Sequence, residues 1–137
     1  MRGLHKGGGG LVSVQRGGFI EAVIDPTAGA LTTAGAGTIT AQYFAAANIY
    51  RTGPTGAATD TTDTAANIEA GIGGSMDVGD QILVAYSNQV AQTITIAGGT
   101  GVTLRSTKAT IASSGFGFLL LRKTGAGANA AYDLYVL

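Results

Sequence analysis

The residues that could do chemistry are few, and each set can be tested against what its chemistry requires. The stretch Thr93–Leu104, TITIAGGTGVTL, carries Gly98, Gly99 and Gly101 between two β-rich runs. A phosphate-cradling loop needs a lysine after its last glycine and a helix whose N–H groups meet the anion. Here Gly101 is followed by Val102-Thr103-Leu104. β-branched residues on both sides predict a hairpin, with the glycines supplying positive φ. Asp60, Asp63, Glu69, Asp77 and Asp80 offer oxygen ligands for calcium. Their spacing fits no EF-hand loop, and Asp77-Val78-Gly79-Asp80 reads as a turn before a strand. His5 is the only histidine, and a lone imidazole neither builds a metal site nor serves well as a base without a fixed partner. Ser113-Ser114-Gly115 lacks an ordered histidine, which leaves only Lys108 as a conceivable partner. Paired carboxylates suited to a glycosidase exist, but there is no tryptophan. Tyr43, Tyr50, Tyr86, Tyr132 and Tyr135 read mainly as core or interface residues. No catalytic residue, metal ligand or cofactor site is assigned.

The elements that would position these residues are short strands. Val12 and Val14 alternate with Ser13 and Gln15 over Leu11–Arg16, and Phe19–Ile24 follows a Gly17-Gly18 turn. Asp25-Pro26 ends that strand. Residues 27–37 read as loop, Thr38–Phe44 as a strand, Ile49–Thr52 as a further extended segment, and 53–61 as a polar loop. Thr64–Ala70 is the single helix expected. Asp63 or Thr62 can cap it, Gly71 can stop it, and Ile68 and Ile72 can anchor one face. Strands are then predicted at Gln81–Asn88, Thr93–Ala97, Val102–Leu104, Ala109–Ile111, Phe116–Lys123 and Tyr132–Val136. In Gln81–Asn88, Ile82, Val84 and Tyr86 share one face. In Phe116–Lys123, Phe116, Phe118 and Leu120 line one face with Leu119 and Leu121 behind. About eight short strands with regular turn signals predict an all-β sandwich or barrel.

Composition sets the remaining bounds. The 137 residues fit one domain, with residues 1–10 read as a flexible N-terminal arm and 11–137 as the β domain. Gly7–Gly10 lose the most entropy on ordering. There are 23 glycines, and charged residues make up only 12% against about 25% in ordinary soluble chains. A weakly charged surface with zero formal net charge favours association. It gives no electrostatic support to nucleic-acid binding. No cysteine is present, no run of about 18 apolar residues predicts a membrane span, and the N-terminus lacks the apolar stretch of a signal peptide. Arg2, Lys6 and Arg16 precede the first acid, Glu21, whereas no base lies between Arg51 and Arg105. Arg2, His5, Lys6 and Arg16 are therefore the candidate protein-interface residues.

The segments DTAANIEAGI, VGDQILVAYSN and QTITIAGGTGVTL, followed by GFGFLLLRKT and a terminal YDLYVL, resemble small β-sandwich virion proteins of tailed bacteriophages. The resemblance lies mainly over residues 63–137. It implies an antiparallel, jelly-roll-like β-sandwich with one short helix near 64–70. It further implies a non-enzymatic capsid decoration (cement) protein on the outer capsid surface. The partners implied are the major capsid protein and copies of the chain itself, as a homotrimer. Related sandwiches in tails and fibres make a receptor- or carbohydrate-binding module the alternative.

Overall fold

The computed structural model describes residues 29–137 in full and, of the first 28, the strands β1 (His5–Lys6), β2 (Val12–Arg16) and β3 (Phe19–Val23). These three form an antiparallel sheet in the order β1-β2-β3. Arg2 and the other residues of the expected arm outside β1 lie outside the described residues.

From residue 29 the chain makes three circuits. The first runs through β4 (Ala30–Leu31) and β5 (Thr38–Ile39) into helix α1 (Ala41–Ala46). The second runs through β6 (Asn48–Arg51) and β7 (Ala58–Thr62) into helix α2 (Ala65–Gly71). The third runs through β8 (Gln81–Asn88) and β9 (Ile94–Ala97). Each circuit lays one strand in each of two sheets, parallel to the strand before it. Then β10 (Val102–Leu104), β11 (Thr110–Ile111), β12 (Phe116–Gly125) and β13 (Ala131–Val136) complete the sheets. The larger has the order β10-β13-β12-β8-β6-β4 and the smaller β11-β9-β7-β5.

The protein is mostly β, but its two main sheets are mixed rather than antiparallel as expected. The cause is connectivity. A strand that returns to its own sheet after crossing the other sheet and a helix arrives pointing the same way. Only β11, β12 and β13 add antiparallel pairs to these sheets. One apolar core is shared by both sheets: Ile49, Val84, Leu119 and Leu134 from the larger, Ile39, Ile94, Ile96 and Ile111 from the smaller. Phe44 of α1 and Ile68 of α2 complete it.

Helix α2 matches its expected span closely. Thr64 is the cap, its Oγ1 accepting from Asn67 N at 3.2 Å, while Asp63 Oδ1 accepts from Thr64 N and Asn67 Nδ2 at 2.8 Å each. Several local expectations fail. Residues 27–37, expected as loop, include β4 at Ala30–Leu31. The strand over Thr38–Phe44 stops at Ile39 and gives way to α1. Ile39, Ala41 and Tyr43 alternate by accident. Ala41, Ala45 and Ala46 favour a helix, which buries Phe44 and Ala46 on one side. The loop expected over 53–61 ends instead in β7, whose Asp60 and Thr62 point inward.

The glycine stretch turns the chain, but not as a hairpin: β9 and β10 belong to different sheets. Gly99 lets this corner press on the start of α2. A Cβ on it would lie 2.4 Å from Thr62 O and 2.7 Å from Asp63 O. Gly99 N donates to Thr62 Oγ1 at 2.9 Å, and Thr100 O accepts from Ala65 N at 2.8 Å. Gly101, at φ +81°, occupies the left-handed region. Gly99→Ala should therefore destabilise the fold by about 2 kcal/mol or more. Gly56→Ala, where a Cβ meets nothing within 4 Å, should stay within about 0.5 kcal/mol of wild type. Urea unfolding of both variants measures the difference.

Candidate functional site: buried ion pairs and an uncovered sheet face

The acids that sequence alone offers to a cation are dispersed among separate structural tasks. Asp60 is fully buried against Arg51. Arg51 Nε donates to Asp60 Oδ2 at 2.8 Å and Nη2 donates to Oδ1 at 2.9 Å, a bidentate pair. The remaining guanidinium donors reach the carbonyls of Leu31 (3.2 Å), Thr33 (2.7 Å), Thr52 (2.7 Å) and Gly35. Asp60 also accepts from Gly37 N at 3.0 Å and from the Tyr86 hydroxyl. Burial first, and then the hydrogen bond to Asp60, push the Tyr86 hydroxyl pKa far up, so it stays a donor. The cluster is closed: the carboxylate accepts four bonds and each guanidinium nitrogen is engaged.

A second closed cluster stands where α2 meets β12 and β13. Lys123 is 3% exposed, and its Nζ donates to Glu69 Oε1 (2.7 Å), Gly73 O (2.6 Å) and Met76 O (2.9 Å). Glu69 Oε2 accepts from the Tyr132 hydroxyl at 2.8 Å. The Lys123 ammonium, more than any other group, holds the Glu69 carboxyl below its ordinary value, and the Tyr132 hydroxyl and Gly127 N–H act the same way against the opposing effect of burial. Burial, then Glu69, push the Tyr132 hydroxyl up. Asp77 and Asp80 form the expected turn, Asp80 Oδ2 accepting from Asp77 N at 2.9 Å. Among the described residues no group of three or more acids, histidines or cysteines is arranged to hold a metal. Nor does any buried side-chain nitrogen or oxygen lack a partner.

The other chemical candidates are likewise apart. Lys108 Nζ donates to Leu137 O at 2.9 Å, and Ser114 sits in a turn at φ 49°, its N–H donating to Val90 O. His5 and Lys6 form β1, opposite Ser13 and Val12, and Arg16 of β2 lies opposite Phe19. Arg2 is outside the described residues.

What the structure brings together is an apolar surface. Strands β6, β8, β12 and β13 each point one set of side chains into the core and the alternate set outward. Their register aligns the outward sets into rows: Tyr50–Ser87–Phe116, Asn48–Ala85–Phe118 and Leu83–Leu120–Tyr135. Tyr50 (46%), Leu83 (50%) and Phe116 (61%) are exposed, and Phe116 and Phe118 meet edge to face at 5.0 Å between ring centres. The alternation of β8 and β13 is legible in the sequence. Their alignment into one face depends on the pairing of β8 with β12, which no local signal specifies. Between α1, α2 and the start of β8 lies a separate groove of about 810 Å³, lined in part by Phe44, Ile72, Met76 and Ile82.

No protein-family model, no curated protein and no solved structure matches the chain.

Two outcomes follow from the buried clusters. Arg51→Met should cost about 3–5 kcal/mol by stranding the Asp60 charge, and Arg51→Met/Asp60→Leu should regain much of that loss. Denaturant unfolding of the single and double variants measures both. For Glu69 the folded pKa is depressed, so its stabilisation is complete above the ordinary value of 4.5 and is lost as pH falls through the folded value. Melting temperature should therefore drop on acidification below that value, and less steeply in Glu69→Gln.

Proposed function

We propose that the chain is a non-enzymatic structural protein of a tailed-bacteriophage virion, a capsid decoration protein that binds the major capsid protein and stabilises the shell from its outer surface. The observation that carries this reading is the uncovered apolar face of the six-stranded sheet. A contiguous exposed apolar patch of this kind marks an interaction surface. The buried charges fit the same reading, because both buried ion pairs are spent inside the fold. The two sheets about one core are read as the layers of a β-sandwich, the architecture of the virion proteins that the motifs of residues 63–137 resemble. The basic residues Arg2, His5, Lys6 and Arg16 are read as the part that reaches acidic patches on the capsid. Many modest contacts repeated over a lattice give firm attachment.

A second reading, a tail- or fibre-associated binding module for a receptor or carbohydrate, is favoured by the aromatic content of the same face. Tyr50 and Tyr135 lie on it beside Phe116 and Phe118. A sugar site needs convergent polar groups around its aromatic platform. The rows offer chiefly Asn48 and Ser87, which weighs toward protein contact.

The decoration reading predicts that the chain co-purifies with particles in many copies and appears by electron microscopy as density above the shell. Particles stripped of it should lose genome or collapse at lower temperature. Absence from the shell together with binding on a glycan array would establish the second reading instead.

A further inference from the structure

Between α2 and β8 the chain runs as a strap, Gly73–Asp80, that is fastened at one place. Among the described residues, every hydrogen bond from this strap to an element other than the helix it follows goes to Lys123 of β12. The Lys123 ammonium donates to Gly73 O (2.6 Å) and Met76 O (2.9 Å). Its main chain accepts from Gly79 N at 2.8 Å and donates to Asp80 O at 3.0 Å. The strap's turns are otherwise closed by its own atoms, Met76 N donating to Gly73 O, Asp80 N to Asp77 O, and Asp77 N to the Asp80 carboxylate. Gly74, Ser75, Asp77, Val78 and Asp80 are exposed. Met76 is the one large apolar side chain that the strap packs against the core. It forms a wall of the groove shared with Phe44, Ile72 and Ile82.

We infer that the strap is an acid-released clasp: ionised Glu69 keeps the Lys123 ammonium in place to fasten it, and protonation of Glu69 frees Gly73–Asp80 and opens the groove while both sheets stay folded. Lys123 is 3% exposed, and Glu69, 2.7 Å away, is its salt-bridge partner. The other two bonds of the ammonium go to neutral carbonyls. Lysine keeps its charge in acid, so a neutral Glu69 leaves a buried ammonium without a counter-ion, which is expensive. Lifting the strap is the cheapest way to hydrate it, because that breaks bonds to a single residue and moves one large apolar side chain. Segments held so lightly open locally, ahead of the whole fold. Helix α2 keeps its Thr64 cap and its buried Ile68. Strand β12 keeps its pairing with β8 and β13. The groups that face Glu69 are the Lys123 ammonium from β12, the Tyr132 hydroxyl from β13 and the Gly127 N–H from the turn between them. All three favour the ionised carboxyl, Lys123 most, so release comes below the ordinary value of 4.5. Asp77 and Asp80 are the titratable groups on the strap itself, and the Asp80 carboxylate is turned onto Asp77 N. The inference is independent of what binds the outer face of the larger sheet.

Met76 itself reports the strap. The chain has two methionines, Met1 and Met76, which peptide mapping separates. Hydrogen peroxide converts an accessible thioether to its sulfoxide, and a thioether does not titrate in acid. The oxidation rate of Met76 in the full chain, followed with circular dichroism from neutral pH into acid, tests the inference. In the wild type it should rise by about tenfold or more in a step below pH 4.5, with the circular dichroism still native. Glu69→Gln should be oxidised faster than wild type at neutral pH and should lack that step. Asp80→Asn should keep the step. A wild type whose Met76 is attacked only as the circular dichroism is lost overturns the inference, as does one with no step while it stays folded in acid. A step that survives in Glu69→Gln, or vanishes in Asp80→Asn, assigns release to the strap's own turn and overturns it too. Where Glu69→Gln fails to fold, the wild-type series and Asp80→Asn still decide. No particle is present in any arm, so none of these outcomes bears on capsid attachment.

Discussion

The Arg51–Asp60 ion pair is the contact on which the arrangement of the three circuits depends. Arg51 lies on β6 in the larger sheet and Asp60 on β7 in the smaller, so the pair ties the two sheets together through the core. The guanidinium also gathers the carbonyls of Leu31, Thr33 and Gly35, which form the turn of the first circuit. The carboxylate takes the hydroxyl of Tyr86 from the third. One pair thus contacts all three circuits. Its net contribution to stability is small, because removing two charges from water costs several kcal/mol per ion and good geometry roughly repays it. Its effect is on specificity. Any slip of one circuit against the next would leave a buried charge or several carbonyls unpaired, and each such error is expensive.

Lys123 and Glu69 do the same for the later part of the chain. The ammonium caps the carbonyls of Gly73 and Met76 just after α2, so the helix and the turn that follows are fixed to β12. Gly73 stands so close to this cluster that a Cβ there would fall 1.9 Å from the Tyr132 hydroxyl. The first circuit is held by charge where its strands are short: β4 and β5 have two residues each. Such strands bring few ladder bonds and little apolar area, and the polar clusters supply the register that their ladders are too short to enforce.

This division explains what could be read in advance. Strands β8, β9 and β13 show a clear two-residue alternation, and their spans and inward residues were legible from it, whereas for β12 the strand was legible but not which of its two apolar faces turns inward. Helix α2 was legible through its alanines, Gly71 and the Ile68–Ile72 spacing, although its cap is Thr64 rather than the expected Asp63 or Thr62. Helix α1 was not, because an alternation of Ile39, Ala41 and Tyr43 imitated a strand. β7 was not, because ATDTT has the composition of a loop and its inward residues are Asp60 and Thr62 rather than aliphatics. A buried aspartate gives no local hydrophobic signal; its meaning lies in a partner nine positions earlier on another strand. The same reason hid the three circuits. Leu31 is in register with Arg51, and Arg51 with Asn88, at unequal spacings that leave no visible repeat.

The apolar outer face follows from one feature of β12. The run FGFLLL is apolar at both parities, so whichever set turns inward leaves a comparable set outside. A strand buried on both faces reads this way when a second layer covers it. Within the described residues the inner layer is the smaller sheet, and nothing equivalent covers the outer one. Polar substitution at Phe116, Leu120 or Leu83 would leave the core packing intact, so the core does not require those residues. The chain therefore commits its charges to fixing its own circuits and its surplus apolar side chains to a surface outside the fold. On the function proposed above, such a distribution serves contact rather than chemistry.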